Sequence, residues 1–176
     1  RYAPDTRRER AAWPVAENFM PDFTLPSVDE QMVQTLDYHS PAHDHDRRSL
    51  ILLFLGECSS DNSVDHSHKA ARGLLLDLAH HYAQIVGASA EVLAVVRGTL
   101  REAAQIKQDS RLPFPVLADE DGQVHRGSGA TTADGGSASE AVYVAGSFAK
   151  IYLSSRASDA PPLPAVRVIR GSGYSL

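Results

Sequence analysis

The chain has 176 residues, 43% of them hydrophobic, with a formal net charge of −5. That length and apolar content suit one domain with a packed core rather than a disordered chain. The acidic balance argues against a nucleic-acid partner, which would meet a basic face, and the longest apolar run, Leu50 to Leu55, is far too short to span a bilayer.

Residues 1–18, RYAPDTRRERAAWPVAEN, read as an arginine-rich N-terminal arm. It carries a short helix over Asp5 to Ala12 that Pro14 ends, and Trp13 anchors it to the body. FMPDFTLPSVDEQMVQTL holds two apolar, β-prone pieces around SVDEQ and predicts a hairpin. DYHSPAHDHDRR is a polar loop. SLILLFLG is a continuous apolar run between polar residues, the pattern of a strand buried on both faces between helices. Apolar residues at Ala71, Leu74, Leu75, Leu78, Tyr82 and Ile85 predict one helix with Gly87 as its C-cap.

AEVLAVVRG is a second buried strand. TLREAAQIKQDSR is a helix with Thr99 and Glu102 forming a capping box. LPFPVLADEDGQVHRGSG predicts a short extended segment, a DEDG turn and a brief helical piece. TTADGGSAS is a loop, and EAVYVAGSFAKIYLSS forms two strands meeting at Ala145-Gly146-Ser147. A proline-rich tail follows, with AVRVIR as a candidate edge strand for this chain or a partner. Strand-helix-strand units closed by an antiparallel hairpin predict an α/β, thioredoxin-like fold with a central mixed sheet. The expected divisions are an arm over 1–18, a domain over 19–156 and a tail over 157–176.

The lone cysteine, Cys58, follows the central strand. One cysteine excludes an internal disulfide, a CxxC pair and a cysteine-rich zinc site. A reduced thiol fits a cytoplasmic setting, with removal of a leader ahead of Arg1 left open. Eight histidines are many for this length. His39, His43 and His45 precede the central strand, and His66 and His68 follow it, with Asp44, Asp46, Asp61 and Asp65 nearby. His43, His45, His66 and His68 could offer imidazole to zinc, copper or nickel if the two segments meet. The plainer reading is polar loop residues and an exposed helix start. His80 and His81 complement a helix C-terminus. GSGATTADGGSAS lacks the GxxxxGK[ST] phosphate pattern, and DEDG lacks the downstream glutamate of a calcium loop.

Three segments carry a family resemblance. MPDFTLPSVDEQMVQTLDY resembles the opening segment of peroxiredoxins of the alkyl hydroperoxide reductase/thiol-specific antioxidant (AhpC/TSA) type, LPFPVLADEDGQVHRGSGA a later segment, and EAVYVAGSFAKIYL the terminal hairpin. The resemblance covers residues 19–154 and implies the peroxiredoxin type of the thioredoxin-like fold. It also implies peroxide reduction by a thiolate in the first turn of the helix after the central strand, where N–H groups lower a thiol's pKa. A threonine and an arginine hold the peroxide there, and a proline shields the thiol. The proline-x3-threonine-x2-cysteine pattern falls on Gly56, Ser60 and Ser63, and the arginine on Glu140.

A serine hydroxyl cannot become a sulfenate, and a carboxylate beside a thiol raises its pKa. The first expectation is therefore a peroxiredoxin-like protein without peroxidase chemistry, acting by binding or as a subunit, with a protein partner or a second copy and no cofactor. The second uses Cys58. A one-residue shift brings it onto thioredoxin's first active cysteine, with Asp61 in place of the second and Ser139 or Glu140 at the cis-proline position. Such a single-cysteine oxidoreductase or antioxidant peroxidase needs an external resolving thiol. SSDNS offers several N-caps, so the helix start stays open, and Glu57 opposes thiolate formation. Cys58 as a small structural strand-end residue is the plain alternative. The third expectation is the histidine-based metal-binding module.

Overall fold

The computed structural model describes residues 19–20, 22–38, 49–57, 66–132, 137–146 and 149–156. The expected arm with Trp13, the 39–48 loop and the AVRVIR strand lie outside them. A hairpin of β1 (Thr24–Pro26) and β2 (Met32–Gln34) comes first, followed by a 3-10 turn at Thr35–Tyr38. Then come β3 (Ser49–Glu57), α1 (His66–His80), α2 (Tyr82–Gly87), β4 (Ala90–Arg97) and α3 (Leu100–Asp109). β5 (Val116–Ala118), α4 (Gln123–Gly127), β6 (Ala141–Ala145) and β7 (Ile151–Arg156) complete the described elements.

The main sheet has the order β5-β4-β3-β6-β7. β3 and β5 run parallel to β4, whereas β6 is antiparallel to both β3 and β7. Successive side chains of a strand point to opposite faces, and β3 splits its apolar run accordingly. Ile51, Leu53 and Leu55 join Leu74, Leu75, Leu78, Ile85 and Ala103 from the helices. Leu50, Leu52 and Phe54 join Met20, Leu25, Leu93, Leu117 and Tyr143. Both faces of the central strand are thus covered, as its unbroken apolar sequence predicts. The hairpin docks beside β5, where the Val28 amide donates to the Val116 carbonyl, and Lys107 of α3 pairs with Asp29 at 2.6 Å. Among the described residues, no helix is long and apolar enough to cross a membrane.

Two local expectations need correction. The helix expected to run unbroken to Gly87 divides at His81. There the backbone turns to φ −98°, ψ 9°. The His81 ring Nδ1 lies 2.9 Å from the Asp77 carbonyl, which also accepts the His81 amide. The ring contact adds to the amide's bond without replacing it, and α2 restarts with the Gln84 and Ile85 amides on the His81 carbonyl. Gly87 is not the cap. The helix ends at Ala88, and the left-handed conformation falls on Ser89 at φ 56°.

The capping box of α3 forms as the sequence predicts. Thr99 Oγ1 accepts from the Glu102 amide, and Glu102 accepts from the Thr99 amide at 2.7 Å. That backbone bond, then the bond from the Thr99 hydroxyl, hold the Glu102 carboxyl below the usual range. Thr99→Ala is expected to lower stability by about 1 kcal/mol, read as a reduced midpoint in urea unfolding with an unchanged slope.

Candidate functional site

The parallel strands β3, β4 and β5 end at one edge of the sheet, the edge at which open α/β sheets bind their ligands. β3 reaches it through an irregularity. Leu55 pairs with Val96 and Glu57 with Arg97, so Gly56 is an extra residue, a bulge that bends the strand end. A Cβ on Gly56 would lie 3.1 Å from the Ala138 carbonyl oxygen. The absent side chain lets the segment before β6 approach the strand closely.

Glu140 closes that segment. The next residue, Ala141, pairs with Phe54 of β3, so Glu140 stands beside the exit of the central strand. It is 8% exposed, and burial pushes its carboxyl up to about 7. The adjoining Ser139 is fixed by its amide, which donates to the Ala130 carbonyl.

Asp119, directly after β5, is also buried at this edge, yet its environment acts in the opposite sense. Burial opposes its ionisation, but hydrogen bonds from the His125 ring and from the His125 and Val124 amides prevail and hold the carboxyl below the ordinary range. The ring Nδ1 of His125 is 2.6 Å from Asp119 Oδ2, the His125 amide donates to the same oxygen at 2.8 Å, and the Val124 amide reaches Oδ1 at 3.3 Å. The other ring nitrogen, Nε2, lies 2.9 Å from the Leu55 carbonyl of β3. Phe54 packs edge-on against both the His125 and Tyr143 rings, and the Tyr143 hydroxyl donates to the Ser128 carbonyl.

Arg97, at the end of β4, donates to the carbonyls of Asp119 and Glu120 and so ties the DEDG turn to the sheet. Gly122 completes that turn at φ 69°, with Arg97 Nε where a Cβ would point; only glycine fits without strain.

Of the sequence-predicted site residues, the structure brings Gly56, Ser139 and Glu140 together. Cys58, Ser60, Ser63 and Asp61 lie outside the described residues, as do His39, His43 and His45. His66 and His68 stand in the first turn of α1, where only the backbone is described. Among the described residues, no three His, Cys, Asp or Glu side chains gather as a metal site. Sequence reasoning passed over Asp119 and His125 as functional residues. They stand only six positions apart, but the fold alone brings the ring to the Leu55 carbonyl, seventy positions away, so the link to β3 leaves no local signature.

The AhpC/TSA family model matches residues 16–153, and the chain belongs to that family. No curated protein matches the sequence. Among solved structures, the chain is similar to peroxidoxin BcpB from Mycobacterium tuberculosis, with a TM-score of 0.67 and 14% identity, covering 86% of this chain and 92% of that one. It is also similar to a cysteine-to-serine mutant of PrxQ from Xylella fastidiosa, with a TM-score of 0.64, 17% identity and coverage of 85% and 86%. AhpC from Enterococcus faecalis gives a TM-score of 0.64 at 18% identity, with coverage of 90% and 95%. These likenesses establish the peroxiredoxin type of the thioredoxin-like fold.

The raised Glu140 value fixes a sign. Its folded pKa, about 7, lies above its ordinary 4.5. The folded state therefore holds the proton more tightly, and ionisation costs stability as pH climbs from 4.5 to about 7, with the full cost persisting above. Glu140→Gln should leave the melting temperature nearly unchanged at about pH 4 and raise it at about pH 8, relative to wild type. A shift of the same size at both pH values would contradict this assignment.

Proposed function

We propose that this member of the AhpC/TSA family has lost the family's thiol-based peroxide reduction and works by binding, as a subunit beside a partner protein or a second copy of itself. The observation that carries the reading is Glu140. It occupies the arginine position of the resemblance and is buried beside the exit of β3. With a value of about 7, the carboxyl is either neutral or negative and never supplies the positive charge that steadies a thiolate and an incoming peroxide. Ser63 at the cysteine position, Ser60 at the threonine position and Gly56 at the proline position agree with that loss. A buried carboxyl with a value of about 7 can donate or accept a hydrogen bond, which suits recognition of a hydrogen-bonding group better than stabilisation of an anion.

A second reading draws on one further observation. β3 ends at Glu57, at the edge where this fold class binds its ligands, and Cys58 is the next residue in the sequence. On that reading Cys58 is a monothiol oxidoreductase, turned over by an external thiol.

Peroxide consumption in the presence of an external thiol, with a sulfenate-specific trap, separates the two. The proposal expects no consumption above the buffer rate and no trapped sulfenate. A sulfenate on Cys58, together with activity that Cys58→Ser abolishes, would overturn it and establish the monothiol reading.

A further inference from the structure

The Asp119–His125 pair takes no part in the reading above, although it lies against the candidate site. His125 is 1% exposed and Asp119 0%. Both ring nitrogens face acceptors, the Leu55 carbonyl at 2.9 Å from Nε2 and Asp119 Oδ2 at 2.6 Å from Nδ1. A neutral imidazole has one N–H and one lone pair, and a carbonyl can only accept. Once Nε2–H is given to Leu55, a proton must lie between Nδ1 and Oδ2. The pair as a unit therefore binds that proton and carries no net charge, which suits burial, where an uncompensated charge is costly. Two backbone amides already point at the Asp119 carboxylate. They favour its ionised form and so place the shared proton on the ring.

The Leu55 carbonyl is the last one before the bulge at Gly56. We infer that His125 is a positioning residue for the candidate site: with Asp119 it forms a buried, proton-holding strut that fixes the Leu55–Gly56 peptide, and hence the exit of β3, against the Ala138–Glu140 segment. The strut spans from α4 to β3 through the His125 ring and is tied to the end of β5 by the carboxylate. The groups packed around it contribute one further fixed charge. From β4, Arg97 donates to the Asp119 carbonyl. From β3, Phe54 offers only a ring edge, and on α4 itself Arg126 is exposed. The inference holds whether the edge binds or reacts, so its outcome is independent of the peroxide assay.

Nitrogen NMR of the histidine rings in the full chain at neutral pH tests the proton count without any substitution. The expected result is two protonated nitrogens on His125; a bare ring nitrogen would overturn the strut. Amide exchange in wild type, His125→Gln and His125→Leu tests the positioning. Gln keeps an N–H for the Leu55 carbonyl, and Leu keeps only volume. Exchange at Gly56 and Glu57 should accelerate in the Leu variant by roughly five-fold beyond any change at Val92–Val95, the weight of one net hydrogen bond. The Gln variant should stay close to wild type. Equal acceleration across β3 and β4 in the Leu variant, or no rescue by Gln, would reduce His125 to a core residue and overturn the inference. If the Leu variant does not fold, the ring-nitrogen result and the Gln variant decide.

Discussion

The burial of β3 on both faces is the constraint on which the rest of the structure depends. The strand lies between parallel β4 and antiparallel β6, and its alternating side chains feed two separate apolar clusters. A slip of one residue would exchange the two sets and send Phe54 into space shaped for Leu53 and Leu55. The register is therefore fixed, and with it the point at which the chain leaves the sheet. Everything at the candidate site is placed relative to that exit: Arg97 from β4, Glu140 ahead of β6, and the Asp119–His125 pair from the β5–α4 connection.

Two buried acids at one edge have their carboxyls shifted in opposite directions. Asp119 has an imidazole and two amides around its carboxylate, which outweigh the cost of burial. Glu140 is governed by burial itself, which pushes its carboxyl to about 7. In the proposed reading this contrast defines the edge. The charge that must be present is neutralised within the Asp119–His125 pair and fixes the backbone. Glu140, beside the exit of β3, has its carboxyl pushed up to about 7 and supplies no cationic field of the kind peroxide chemistry requires. On the proposed reading, a peroxiredoxin fold is kept while the charge at this sheet edge differs from the family's.

Much of the fold was legible because its signals are local. The Leu50–Leu55 run announced a doubly buried strand, Thr99 and Glu102 announced the start of α3, and SVDEQ and DEDG announced turns. The break at His81 was not legible, because apolar spacing continues across it to Ile85 and the division is a local change of backbone angles at that residue. The shift of the left-handed residue from Gly87 to Ser89 follows from where α2 ends, which residue type alone does not set. At the site, the family resemblance brought out Gly56 and Glu140, but the burial of Glu140 depends on the bulge and on how closely the 137–140 segment approaches it. Asp119 and His125 stand six positions apart in one connection, but the Leu55 carbonyl they are tied to is seventy positions from His125, and no pattern within either stretch encodes that link.

The central claim is that the exit of β3 does not build a field for a reactive thiolate. The most direct measurement is the thiol pKa of Cys58, taken from the pH dependence of its alkylation rate in the folded, wild-type protein. The account predicts a value at or above the ordinary one of about 8.5, or protection until the protein unfolds. A value well below that would mean an electropositive pocket surrounds the sulfur, and would contradict it.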